Sequence, residues 1–327
     1  MTDSMGNPSF APAAQGGVAL VTAILIVALA TILATELMWQ RHLHLRRTES
    51  NLGHEQARQY ALGAETLAAS VLMGDASDGQ IDHLQESWAD AIVPLPIEGG
   101  RLYGGIEDLQ SRFNLNNLWR NGPDGQTDAF TFAQFQKLLN SLDLDPDLAE
   151  AVLDWLDPDQ TATGASGAED DRYTGLDPPY RAGNGYMTSA SELLAIQGFD
   201  LDTYRALAPY VTALLPGWCN TNDLTAINVN TAPGPVLLSL SPELTESDVE
   251  GLLEERKSLN GWTNLSSFEQ HVDADVLQSG YMDVQSQCFQ AAVTVELGSS
   301  RLTMYSLLDR TPEGDQIVSR SRSFGVN

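Results

Sequence analysis

GVALVTAILIVALATILAT, Gly17 to Thr35, is an unbroken run of nineteen uncharged residues. As an α-helix rising about 1.5 Å per residue it would extend about 28 Å, close to the hydrocarbon thickness of a bilayer. Val, Ile, Leu and Ala dominate it, so burial in lipid is favoured over a surface helix. A cleaved secretory signal is the competing reading. The run is longer than an ordinary signal core, however, and no Ala-x-Ala-like site follows it. Beyond Glu36, helix-forming residues continue to about Leu72, with Leu52, Ala57, Tyr60, Ala61, Ala64, Leu67, Ala68 and Val71 at helical spacing. Gly74 and Asp75 supply a stop, so residues 18–74 read as one helix, lipid-facing first and amphipathic later.

The 327 residues carry 44 Asp+Glu against 17 Lys+Arg, a formal net charge of -27. So acidic a surface repels phosphate backbones, which makes nucleic acid a poor partner, and it attracts cations. Cys219 and Cys288 are too far apart for a CxxC motif. They read as one disulfide in an oxidising compartment, or as two buried thiols in the cytosol. The five histidines show no ligand spacing, and no P-loop or G-x-S-x-G motif is present, so the chain reads as a non-enzyme.

Alternating segments at 92–97 and 102–106, joined by Gly99-Gly100, predict a hairpin. Three more strands are expected at 289–297, 301–309 and 316–324, with turns at Gly298-Ser-Ser and Pro312-Glu-Gly. The fold class is therefore α+β: a long helix on an antiparallel sheet assembled from residues 75–111 and 288–327. Between them, residues 112–287 read as an inserted all-α domain in which one unit occurs twice. Phe113-Asn-Leu-Asn-Asn117 and Ile227-Asn-Val-Asn-Thr231 open the copies. Helices at 132–142 and 148–156 follow in the first, and at 235–240 and 246–259 in the second. Ser189-Ala-Ser-Glu-Leu-Leu194 and Ser266-Ser-Phe-Glu269 close them.

The first copy carries an acidic loop, residues 154–184. Between Asp143 and Asp177 stand eleven acids and one arginine. Acids at alternate positions, a glycine-rich bend and a Glu-Asp-Asp triplet suit a hard cation with oxygen ligands, although the spacing is not that of an EF-hand. A solvated loop that binds nothing is the plainer reading. Trp155, spaced helically with Val152, reads as core rather than as part of a sugar cleft.

The short polar leader ending in Gly16-Gly17, followed at once by Val18 and the apolar helix, resembles the type IV pilin and pseudopilin signal. The wording VALVTAILIVALATILA, together with INVNTAP, is closest to the K-type minor pseudopilin of the type II secretion system. The resemblance implies a leader of residues 1–17, cleaved by prepilin peptidase after Gly17, and methylation of the mature N-terminus at Val18. It further implies a pilin-like fold and an insert of two helix-hairpin-helix (SAM-like) repeats. It places the chain at the pseudopilus tip in the bacterial inner membrane, single-pass, with its C-terminal part in the periplasm. There it would initiate assembly and support export across the outer membrane. Implied partners are the I- and J-type minor pseudopilins, possibly the H type, the inner-membrane assembly platform and the lipid bilayer.

The fifth mature residue would be Thr22, where most pilin-like proteins have glutamate. A membrane carboxylate is expensive unless paired, and a subunit lacking it needs no partner above it. The resemblance also implies two calcium ions, carried here onto Asp154, Asp157, Asp159, Glu169, Asp170 and Asn184, and in a periplasmic domain it favours the Cys219–Cys288 disulfide. One feature opposes this topology: residues 1–17 lack Lys and Arg, whereas Arg41, Arg46 and Arg47 follow the helix. The glycine junction, the cysteine pair and the acidic loop outweigh it. The alternative function is a membrane-anchored helix-hairpin-helix protein for DNA binding or uptake. Hairpins reading LDLDPDL and SPELTESD lack the glycine turn and carry carboxylates that oppose phosphate.

Overall fold

The computed structural model describes residues 16–79, 81–90, 92–120, 125–219, 224–268, 272, 280–310 and 316–325. Most of the expected leader (1–15), Glu269, His271 and the turn at Pro312 lie outside them. The chain divides into two units, Met1–Gln56 and Ala57–Asn327. It opens with α1 (Gly16–Asp78), β1 (Ile92–Ile97) and β2 (Gly100–Asp108). Then come β3 (Phe113–Asn114), β4 (Trp119–Arg120), β5 (Gln126–Thr127), α2 (Ala129–Ser141), α3 (Leu148–Leu156), α4 (Asp170–Tyr173) and α5 (Leu201–Leu207). After these lie β6 (Val211–Thr212), β7 (Ile227–Asn228), α6 (Gly234–Ser239), α7 (Glu246–Leu259) and β8 (Met282–Asp283). The chain ends with β9 (Cys288–Leu297), β10 (Ser300–Arg310) and β11 (Ile317–Gly325).

In the first unit α1 is exposed throughout its apolar run, and it is long and apolar enough to cross a membrane. The Thr22 hydroxyl donates back to the Val18 and Ala19 carbonyls at 3.1 and 3.0 Å, which satisfies it inside the helix. In the second unit the buried stripe of α1 is Ala57, Ala61, Ala64, Ala68 and Leu72, at i+3/i+4 spacing. Four alanines let the helix backbone approach the sheet closely. Ala57, Ala61 and Ala64 pack with Leu102, Val293, Val295 and Met304, while Ala68 and Leu72 pack with Trp88, Phe289 and Leu308. Glu65 is buried in the same stripe and accepts two 2.7 Å bonds from Arg322 and one of 2.5 Å from the Ser306 hydroxyl. Burial would raise its carboxyl, but the Arg322 guanidinium and the serine hydroxyls hold it below the ordinary value. The expected stop at Gly74 does not end the helix. One glycine costs a helix only about 1 kcal/mol. An ion pair of 3.2 Å from Asp75 to Arg310 holds the following turn.

The sheet has the order β1-β2-β9-β10-β11, antiparallel throughout. Glycines with positive φ, Gly99 (82°) and Gly298 (54°), make its turns. β2 and β9 pair from Gly100↔Leu297 to Asp108↔Phe289. Everything between them therefore leaves and returns at one end of two neighbouring strands, in the place of a hairpin loop. The junction is stapled there by the Cys219–Cys288 disulfide. It is also tied by Asp108, which accepts from the Gln110 N–H (2.8 Å) and from the Ser286 and Thr231 hydroxyls (2.6 and 2.5 Å).

The insert is mainly helical, with its own core, but it is not all-α. Two-residue parallel pairs β3–β6 and β7–β8 lie at its two Asn-x-Asn openings, and an antiparallel pair β4–β5 precedes α2. The parallel pairing partners are 98 and 55 residues apart in sequence (Phe113 with Val211, Ile227 with Met282), which is why local patterning did not reveal them. The second asparagine of each opening makes the same pair of contacts. Asn116 accepts from the Met187 N–H and donates to its carbonyl at 2.8 and 2.9 Å. Asn230 does the same to Trp262 at 2.7 and 2.9 Å.

Candidate metal centre

The acidic loop is held by the core beneath it. On α3, Ala151, Val152, Leu153, Trp155 and Leu156 are buried, and Asp154 in its last turn is drawn under with them at 0% exposure. Asp157 ends the helix, its N–H bonded to the Leu153 carbonyl at 3.0 Å. The loop then folds back. The Thr163 N–H reaches both Asp154 oxygens at 3.0 and 3.1 Å, and the Ser166 N–H reaches Glu150 at 2.7 Å. Gly167 is required at its place, since a Cβ there would lie 2.4 Å from Asp154 Oδ2 and 2.3 Å from the Thr163 carbonyl. Glu169 follows and leads into α4. Buried Tyr173 anchors that short helix against Trp155, edge-on at 5.5 Å.

This folding brings the carboxylates of Asp154, Asp157 and Glu169 together. An oxygen from each lies within 4.8 Å of the others, and all three residues are buried. Asp157 Oδ1 and both Glu169 oxygens are buried without a hydrogen-bond partner, and so is Asn184 Oδ1. Asn184 itself adopts a left-handed backbone, φ 44°. Burial, then the neighbouring Asp154 and Asp157 charges, pushes the Glu169 carboxyl up to about 8. Burial, then Asp159 and Asp154, pushes Asp157 up to about 6, and burial raises Asp154. Three such groups cannot share this space ionised unless a cation joins them. The orphaned oxygens fit one. The cluster's donors are carboxylate oxygens, with no sulfur or imidazole, a set that suits a hard cation such as calcium better than zinc.

The other expected ligands are placed differently. Asp159 is exposed, accepts from the Thr161 N–H at 2.7 Å, and acts on the cluster through its charge. Asp170 accepts from the Ala182 N–H at 3.0 Å and lies 3.6 Å from Arg181. Neither belongs to the three-carboxylate cluster. Trp155 is core, as its spacing suggested, and its indole N–H donates to Glu192 at 3.2 Å.

A second acidic group, Asp75, Asp82 and Glu86, also meets the distance criterion for a metal. Here the protein supplies its own cation. Arg310 donates to both Asp82 oxygens at 2.6 and 2.5 Å and to Asp75 at 3.2 Å, while Glu86 accepts from the Trp88 indole at 2.8 Å. Sequence reading missed this group because its arginine lies more than 220 residues from its acids.

Comparison with known proteins gives consistent matches. The family described as "Type II secretion system (T2SS), protein K" matches in two parts, residues 111–217 and 227–285, which divide where the two Asn-x-Asn openings divide the insert. Type II secretion system protein K of Pseudomonas aeruginosa is 34% identical over 328 residues, covering 95% of this chain and 94% of that protein. The protein of the same name from Aeromonas hydrophila is 31% identical over 331 residues, covering 95% and 98%. Among solved structures, a chain of the GspK-GspI-GspJ complex from the enterotoxigenic Escherichia coli type 2 secretion system is similar. It aligns with a TM-score of 0.70 and 26% identity, covering 86% of this chain and 100% of that one.

Proposed function

The chain belongs to the type II secretion system protein K family and is a minor pseudopilin; from that premise we propose that it occupies the tip of the pseudopilus and initiates its assembly. The observation that carries the reading is Thr22. A hydroxyl closed on its own helix needs no ammonium from a subunit above, where a carboxylate would. Residues 18–74 act as anchor and assembly helix, and residues 75–111 with 288–327 act as the pilin-like domain. The bulk of 112–287, returned at one end of β2 and β9, hinders addition of a further subunit. The paired asparagine contacts support reading that insert as one helix-hairpin-helix (SAM-like) unit used twice.

The partners are the I- and J-type minor pseudopilins, as in the similar complex, with the H type and the assembly platform beyond them. The disulfide suits a periplasmic location. Asp154, Asp157, Glu169 and Asn184 would hold one calcium ion. Asp159, which is exposed, and Asp170, half-buried at the start of α4, would serve a second. The ion would supply positive charge that lets buried carboxylates remain ionised, so its role is to order the loop rather than to turn over a substrate.

The test is the N-terminal residue of the protein purified from membranes of a strain expressing prepilin peptidase and the I- and J-type subunits. The expected result is methylated Val18 in a complex with both partners. Retention of Met1, or a chain isolated without them, would overturn the reading.

A further inference from the structure

Immediately beyond the apolar run, α1 carries Trp39, Arg41, Arg46 and Arg47, all exposed. Three of the 17 Lys+Arg of a chain with net charge -27 thus fall within seven residues. No ion pair or hydrogen bond holds any of the three side chains among the described residues. By contrast, Arg101, Arg112, Arg120, Arg310, Arg320 and Arg322 each meet a carboxylate within 3.2 Å.

Their angular placement matters most. At 3.6 residues per turn, Arg41, Arg46 and Arg47 point about 140°, 100° and 120° apart, one to each third of the circumference. A partner helix or domain meets one face; charges on every face meet a medium that surrounds the helix. Axially, Trp39 stands about 6 Å, Arg41 about 9 Å, and Arg46 and Arg47 about 17 and 18 Å beyond Thr35. The first two are level with the headgroups, and the long side chains of Arg46 and Arg47, which a helix tilts back toward its N-terminus, reach toward the outer edge of that layer. An indole at that level is the usual interfacial anchor.

We infer that Trp39, Arg41, Arg46 and Arg47 form a collar that binds the phosphate headgroups of anionic phospholipids in the leaflet at the C-terminal end of the span. The inference rests on the membrane-anchor reading above. It also gives the arginines a role on a side of the membrane where the charge rule for topology does not expect them. Net acidity elsewhere in the chain repels an anionic surface, but only within about 8 Å do charges act strongly at physiological salt, and there the collar dominates. Glu36 and Glu49 flank the collar and set its axial limits.

The full chain is reconstituted in phosphatidylcholine vesicles with a trace of spin-labelled phosphatidylglycerol or spin-labelled phosphatidylcholine. The motionally restricted fraction of each probe is then measured. One surface arginine favours an anionic lipid about fivefold, so a preference of about that size for the phosphatidylglycerol probe is expected. High salt weakens it, and excess inorganic phosphate at constant ionic strength does not abolish it. Arg41→Gln, Arg46→Gln and Arg47→Gln together remove it, whereas the same three positions changed to Lys retain it. Arg205→Gln, on the exposed surface of α5, leaves it unchanged. Equal restriction of the two probes by a chain that resists alkaline extraction would overturn the collar alone. So would displacement by inorganic phosphate. A chain washed out of the vesicles at alkaline pH would overturn both the anchor and the collar.

Discussion

Glu169→Gln separates a calcium site from a merely acidic loop, because its effect on stability reverses sign with calcium. Without an ion, Glu169 is buried beside Asp154 and Asp157 and its carboxyl rises from 4.5 to about 8. At about 1.4 kcal/mol per pH unit, holding it ionised in the folded state opposes folding by up to about 5 kcal/mol. Below pH 4.5 the group is protonated in both folded and unfolded chains and contributes nothing. The penalty builds as pH rises toward 8. Glutamine removes that charge but leaves an amide without partners, which returns about 1–3 kcal/mol of it. At pH 8 in chelator the variant is therefore expected to be more stable by about 2 kcal/mol, or about 5 °C in Tm for a unit of this size. With calcium at a hundred times its Kd the wild type gains about 2.7 kcal/mol and the order inverts. Differential scanning fluorimetry of the full chain in detergent, in chelator and in calcium, reads both differences. A wild type indifferent to calcium, or a variant no more stable than wild type in chelator, would refute the reasoning.

Gly167→Ala drives a methyl into Asp154 and the Thr163 carbonyl. It should abolish the calcium-dependent Tm rise, seen in the same assay, while leaving the disulfide formed. Desolvation lifts the fully buried Asp108 carboxyl from 3.8 to about 6, against its bonds from Ser286, Thr231 and the Gln110 N–H. The wild type thus loses up to about 3 kcal/mol between pH 4 and pH 6 that Asp108→Asn cannot lose. Urea denaturation should show the variant less stable at pH 4, with the gap shrinking as pH rises to 6. Reducing the Cys219–Cys288 bond, which closes 69 residues, should lower stability by about 4 kcal/mol on the chain-entropy account, measured by urea unfolding with and without dithiothreitol.

The fold was legible wherever one short segment carried its own signal. The apolar run fixed the long helix. Alternation with glycine turns located the five strands of the sheet to within two residues, and α3 and α7 begin and end at the expected residues. α2 begins three residues earlier than its apolar pattern, because Asp128 caps the N–H groups of Phe130 and Thr131 and extends it backward. At the candidate metal centre, the Asp154, Asp157 and Glu169 convergence follows from acids on either side of a glycine bend. Asp159 and Asp170 lie outside that cluster, since whether a loop side chain turns inward depends on the core under it. What stayed hidden was long-range: the Arg310 cluster, the Asp108 junction and the backbone contacts of Asn116 and Asn230. These depend on which distant segments meet, and no local period encodes that.

The two rims of the sheet are unlike. Along β1, Pro94 and Pro96 deprive the outer strand of amide donors, so that margin refuses another strand from any source. Along β11 no proline intervenes, and the margin carries Arg320 and Arg322. Both arginines are already neutralised by Asp309 and Glu65, so a strand joining the sheet would find open amides on the β11 side and no net charge there to select it. One border is barred, and the other is left open.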